Sequence, residues 1–109
     1  MEKNRIIMGA DHLGLPLKNS IKEHLIKQNY QVEDIGVNAN DPVDYPDVAA
    51  DVSRQLADGA VDRGILLCCT GVGMAIAANK IPGVRAATCH DEVAAEMSRR
   101  HNDLNVLCL

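Results

Sequence analysis

Three groups of residues in this 109-residue chain carry side chains suited to moving protons or holding anions. The first is Cys68-Cys69-Thr70-Gly71-Val72-Gly73, where a thiol ends an apolar run and a hydroxyl and two glycines follow. Asp11-His12, inside Gly9-Ala-Asp-His-Leu-Gly14, is the second, and His101-Asn102 is the third. A thiol at the carboxyl end of a strand, facing the free N–H groups that open a helix, loses its proton more readily than an isolated one. Glycines at 71 and 73 let the backbone turn sharply and approach a ligand without a Cβ in the way. Backbone N–H groups can then hold an oxyanion, Thr70 can relay a proton, and His12 and His101 belong to the residue type that changes charge near neutrality. Those are the parts needed to take a proton from carbon beside a carbonyl. Covalent phosphocysteine chemistry would use many of the same parts. Each residue also has a plainer reading: Cys68 as a small core residue, Asp11 as a loop cap, Tyr45-Pro46 as a helix-entry turn, His101 as a helix-end side chain satisfied by carbonyls.

Several other chemistries are excluded by spacing. No G-x-x-x-x-G-K-[ST] loop is present, and no Arg lies about five residues past Cys68, where a cysteine phosphatase needs a bidentate clamp. Gly71-Val-Gly73 is too short for a dinucleotide fingerprint and lacks a partnering acidic residue. Asp11, His12 and His101 show no metal-ligand spacing, so no metal is expected. A net charge of −4, with no Trp or Phe and only two Tyr, argues against nucleic acid and anionic membrane as partners. With no signal peptide pattern and no bilayer-length apolar run, a cytoplasmic protein is expected. The four cysteines show no C-x-x-C spacing and are expected to be free thiols of a reducing compartment.

The elements that must position these groups follow from periodicity. Apolar runs at Arg5–Met8, Val32–Ile35, Gly64–Cys68, Val84–Cys89 and Asn105–Leu109 predict five strands, the second closed by Gly36. Between the first two, Pro16 opens a helix whose Leu17, Ile21 and Leu25 share a face, with Lys18, Lys22 and Lys27 away from that row; it stops by Asn29. Asn38 to Pro46 is a loop, and helices are predicted from about Asp47 to Asp58 and from Val72 to Lys80. Capped by His90-Asp91, a fourth helix runs from Glu92 to Arg100 with Val93 and Met97 facing inward. Strands alternating with helices predict an α/β fold in three layers, a five-stranded parallel sheet of Rossmann-like or flavodoxin-like type with helices on both faces. In such a sheet the strand carboxyl ends share one edge, where the three groups are expected to converge.

Four motifs in order carry a resemblance to a known family. Gly9-Ala-Asp11-His12-Leu-Gly14, Asp44-Tyr45-Pro46, the stretch from Asp62 to Asn79 with its Cys-x-Thr-Gly-Val-Gly centre, and Arg100-His101-Asn102-Asp103-x-Asn105-Val106-Leu107 resemble the ribose-5-phosphate isomerase B family, which includes galactose-6-phosphate isomerase subunits. The resemblance runs from near residue 5 to the end. It implies an aldose–ketose interconversion of ribose 5-phosphate and ribulose 5-phosphate through an enediolate, in pentose phosphate metabolism, without metal or organic cofactor. By resemblance, Cys68 is the base and Thr70 a proton relay. The backbone of Cys69, Gly71, Val72 and Gly73 forms the hole for the enediolate oxygen. His101, with Asp11 beside it, helps open the furanose ring; His12 contacts the phosphate; Tyr45 and Asn102 position the substrate. A homodimer or homotetramer with sites at the interface is implied.

Two departures from the family pattern stand out. Cys69 occupies a position where the family usually has Gly, so a side chain there is expected to restrict the backbone or to put a second thiol in the pocket. By the same resemblance the single domain, residues 1–109, is expected to be short relative to the family at its carboxyl end, lacking the last helix and its phosphate-binding arginines. One face of the sheet is then expected to keep exposed apolar surface. Readings as a galactose-6-phosphate isomerase subunit or as a truncated, non-catalytic homologue follow from the same motifs.

Overall fold

The computed structural model describes residues 5–35 and 44–109. Strand β1 (Arg5–Ala10) leads into helix α1 (Leu15–Lys27), followed by β2 (Gln31–Asp34) and α2 (Tyr45–Ala57). The chain continues through β3 (Arg63–Leu67), α3 (Val72–Ala78), β4 (Ala86–Thr88), α4 (Glu92–Asn102) and β5 (Val106–Cys108). All pairings are parallel, in the order β2-β1-β3-β5-β4. The predicted five-stranded α/β sheet is therefore present. Gly36 and residues 38–43 of the predicted loop lie outside the described residues, while Tyr45 and Pro46 form the first turn of α2, with Asp44 as its cap.

Both faces of the sheet are covered, as a parallel sheet with near-continuous apolar strands requires. On one face, α2 and α3 pack Val48, Val52, Leu56, Met74 and Ala78 against Ile7, Leu66, Val106 and Cys108. The opposite face buries Ile6, Met8, Ala10 and Leu67, with Ile21 and Leu25 of α1 against them. Right-handed crossovers place α4 on this second face too, because β4 to β5 steps the same way across the sheet as β1 to β2. Beside α4 on this face runs a groove lined by Ile6, Ile65, Leu107, Ala95 and Arg99, so the cover there is incomplete over the central strands.

Two helix faces differ from their sequence reading. In α4 no residue is buried, and Val93 and Met97 are 60% and 42% exposed instead of facing inward. The half-buried face of this helix is instead made of Ala94, Ala95 and Ser98, with Ser98 Oγ 3.7 Å from Cys89 Sγ, so Val93 and Met97 fall on the opposite side. In α1, Leu17 is exposed, whereas Lys18 is one of the most buried side chains in the protein. Its Nζ donates to Asp34 Oδ1 at 2.8 Å and Lys22 Nζ reaches Oδ2 at 3.2 Å, so Asp34 of β2 supplies the charge partner that allows the burial. Burial pulls the Asp34 carboxyl up, but the hydrogen bonds and charges of Lys18 and Lys22 together outweigh it and leave the group below its ordinary value.

Remaining shifts are local. Helix α3 stops at Ala78, freeing the Asn79 side chain to bond Ala86 N–H and C=O at 2.8 Å each, where it stands in for a neighbouring strand on the outer edge of β4. The Asp91 carboxylate accepts the Ala94 N–H at 2.7 Å and caps α4 as predicted.

Candidate active site

At the carboxyl end of β3 the chain leaves the sheet with its backbone still tied to both neighbours. The Leu67 carbonyl accepts the Asp11 N–H at 3.2 Å, and the Cys68 N–H donates to the Leu109 carbonyl at 3.0 Å. Cys68 is half-buried, packed against the α2/α3 core, and its Sγ accepts the Gly71 N–H at 3.1 Å. One residue on, Thr70 Oγ1 accepts the Val72 N–H at 3.2 Å. Gly71 lies in the left-handed region at φ 79°, and a Cβ there would stand 3.0 Å from the backbone of Cys108 and Leu109. Only glycine fits, for both conformation and space. The first bond of α3 is from Ala75 N–H to the Gly71 carbonyl, so the helix itself leaves the earlier N–H groups of the turn without a partner.

Asp11 and His12 meet this turn across the β1–β3 pairing, where Ala10 registers with Leu67. Buried at 8% exposure, Asp11 uses Oδ1 to accept the Leu13 and Gly14 N–H groups, each at 3.0 Å. The loop-capping role is thus real, and it fixes the carboxylate at the sheet edge. His12 is exposed on the same loop. Tyr45 arrives from the start of α2: a Cβ on Gly73 would be 2.5 Å from the Tyr45 ring, so the ring lies directly on the Gly73 backbone. Cys69 is exposed and has no left-handed backbone; among the described non-glycine residues only Asn29 and Asp103 have positive φ. The expected backbone restriction at Cys69 is therefore accommodated without strain.

His101 and Asn102 do not join the group within one chain. Helix α4 begins at the carboxyl edge and runs back against the strands, and its 11 residues rise about 16 Å. Its last turn ends beside the start of β4, where Arg85 Nε donates to the Asp103 carbonyl at 2.6 Å. Both residues are exposed at that far edge. Asn105, from the same motif, is a structural brace: its Oδ1 accepts the Arg85 N–H at 2.7 Å and its Nδ2 donates to the Gly83 carbonyl at 3.0 Å. The sequence reading of convergence fails here because these residues follow a helix and not a strand.

The thiols differ in environment. All four cysteines are free. Cys108, in β5 beneath the Gly71 turn, is pushed up to about 12 by burial first and then by the nearby Cys68 and Cys89 thiols, so it stays neutral. Thr88, at the end of β4, was not singled out by sequence. Its hydroxyl donates to the Gly71 carbonyl at 3.1 Å. The only hint was a hydroxyl at a strand's carboxyl end, and the placement of β5 between β3 and β4 was needed to give it a partner.

Comparison with known proteins gives a consistent result. The sequence pattern of the Ribose/Galactose Isomerase family matches residues 6–109. Ribose-5-phosphate isomerase B of Escherichia coli is 47% identical over 103 residues, covering 94% of this chain and 69% of the relative. A solved ribose-5-phosphate isomerase B from Clostridium thermocellum superposes with a TM-score of 0.93 at 48% identity, over 96% of this chain and 71% of that one. The Mycoplasma genitalium enzyme, solved with bound ribulose-5-phosphate, gives a TM-score of 0.88 at 45% identity, over 96% and 70% of the two chains.

Proposed function

The chain belongs to the ribose/galactose isomerase family, as an aldose–ketose isomerase of the ribose-5-phosphate isomerase B type, and we propose that it interconverts ribose 5-phosphate and ribulose 5-phosphate at the Cys68 turn. The observation that carries this is the placement of a half-buried thiol against the Gly71 N–H, beside Thr70 and across from Asp11. In the open-chain aldose, the Cys68 thiolate takes the proton from C2. The C–H electron pair forms the C1–C2 double bond, and the negative charge moves onto O1. Backbone N–H groups from Cys69 to Gly73 hold that oxygen, because they are fixed before the charge arrives. Thr70 passes a proton between O2 and O1, and the thiol returns its proton to C1, giving the ketose with no net change in oxidation.

Asp11 Oδ1 is spent on its own loop, which leaves Oδ2 for a substrate hydroxyl, while exposed His12 meets the phosphate and the Tyr45 ring, lying on Gly73, flanks the substrate. His101 and Asn102 complete the site from a second copy, a reading supported by their exposed place at the far sheet edge; the working form is a homodimer or homotetramer in the cytoplasm. No helix among the described residues is long and apolar enough to cross a membrane.

One experiment tests both parts. Proton NMR of ribose 5-phosphate in D₂O follows ketose formation and loss of the C2 proton for the wild type, Cys68→Ala, His101→Ala and an equal mixture of the two variants. Loss of a general base should cost about 10²–10⁴-fold in Cys68→Ala. Subunit exchange in a dimer should return about a quarter of wild-type activity in the mixture, since half of the dimers then hold one intact site of two. An inactive wild type would overturn the isomerase site, and a mixture no better than its components would overturn sharing.

A further inference from the structure

Thr88 lies at the carboxyl end of β4, in register with Cys108 of β5, and its hydroxyl crosses above β5 to the Gly71 carbonyl at 3.1 Å. That oxygen also accepts the Ala75 N–H at 3.0 Å. A carbonyl oxygen has two lone pairs. Here both are taken, by donors from two different elements, and the plane of the Gly71–Val72 peptide is fixed from two sides. The pinning matters because glycine has the widest backbone freedom of any residue. The N–H of the same peptide, on Val72, points the opposite way and meets Thr70 Oγ1 at 3.2 Å, while the N–H of Gly71 itself meets Cys68 Sγ at 3.1 Å.

We infer that Thr88 is a positioning residue for the reaction: through the Gly71 carbonyl it aims the Val72 N–H of the same peptide at the oxygen that becomes negative, and by holding Gly71 in place it steadies the preceding peptide, whose N–H meets Cys68 Sγ. This rests on the assignment of the Cys68 turn as the isomerase site. Thr88 acts through the Gly71 carbonyl, so its effect is on how well the turn is set before substrate arrives. Transition-state charge leans on that setting more than ground-state binding does, and kcat should therefore suffer more than KM.

The test uses the full chain with Thr88→Val, which keeps the shape and removes the hydroxyl, and Thr88→Ser, which keeps the hydroxyl. Readouts are kcat and KM for ribose 5-phosphate, and the rate of Cys68 alkylation by iodoacetamide near neutral pH, followed on the Cys68 peptide by mass spectrometry. Thr88→Val should lower kcat about 3- to 10-fold, the worth of one hydrogen bond, with KM within about twofold. It should also slow Cys68 alkylation at least about twofold, because a thiolate keeps its charge better with a fixed N–H donor, and Thr88→Ser should restore both. A valine variant matching the wild type in both readouts overturns the inference. So does a serine variant that falls as far as the valine one, since packing of the methyl group would then be the cause. If the wild type does not isomerise the sugar, the site assignment fails, and the alkylation rates alone confirm or overturn the pinning of the turn.

Discussion

Two strand-to-helix turns stand side by side at the carboxyl edge of the sheet, and they handle their backbone N–H groups in opposite ways. In the turn after β1, the Asp11 carboxylate takes the Leu13 and Gly14 N–H groups, each at 3.0 Å. In the turn after β3, the acceptors are a sulfur and a hydroxyl, at 3.1 and 3.2 Å. A carboxylate makes strong, charge-assisted bonds, whereas thiol sulfur is a weak acceptor. The first turn is therefore closed on itself and presents side chains. The second holds its donors loosely enough to give them up to a substrate oxygen, and takes its rigidity from outside, from Thr88, Cys108 and Leu109.

The largest effect should come from filling the space under the second turn. Gly71→Ala puts a side chain on a residue at φ 79° with backbone 3.0 Å away. Loss of about 2–3 kcal/mol in urea unfolding and at least about tenfold in kcat is expected. Gly59→Ala is the control, at φ 80° with nothing within 4 Å, and should cost only about 1 kcal/mol with kcat unchanged. Equal losses would mean that the support from β5 does not matter. Next in size, removing the acceptors one at a time should separate the turns. Asp11→Ala should cost about 1–2 kcal/mol, as loss of a capping carboxylate does, and Thr70→Ala less than about 0.5 kcal/mol. Similar urea midpoints for the two variants would break the contrast.

The smallest effect lies in pH. Because Asp34 is held below its ordinary value, its contribution to anchoring α1 is complete above about pH 4 and fades as pH falls through the lower folded value. Cys108 works the other way. Its raised value means that the folded state keeps the proton, so stability is complete below the ordinary thiol range and lost as pH rises toward 12, about 1 kcal/mol by pH 9.5. Thermal melts across pH 7–10 should show an alkaline decline in the wild type that is reduced in Cys108→Ala; a parallel decline in both would assign it elsewhere.

Much of this was legible in the sequence because local chemistry decides it. Apolar runs ending at Asp11 and at Cys68 mark two strands, and the glycine at 71 marks a sharp turn, which the structure shows to be left-handed at that residue. What could not be read was set by distant parts of the chain. Leu17, Ile21 and Leu25 have the spacing of one apolar face, yet it is Lys18 that is buried, and its burial depends on Asp34, sixteen residues later. Val93 and Met97 have helical spacing, but the half-buried face of α4 is the one made of the small residues Ala94, Ala95 and Ser98, so apolar periodicity alone mistook them for core. His101 and Asn102 required knowing which end of the sheet α4 points to. Thr88 required the strand order, which nothing local encodes.

That order has a consequence for how the molecule comes into being. Strand β5, the last of the five to leave the ribosome, is the one inserted between β3 and β4. Until residues 106–109 emerge, β4 has no hydrogen-bonded neighbour in the sheet, and the Cys68 N–H lacks the Leu109 carbonyl it bonds to. Such long-range pairings form late, because a large loop must close before they return any energy. During synthesis β1, β2 and β3 can assemble first, but the turn that carries the thiol is set only when the fifth strand slots into its gap.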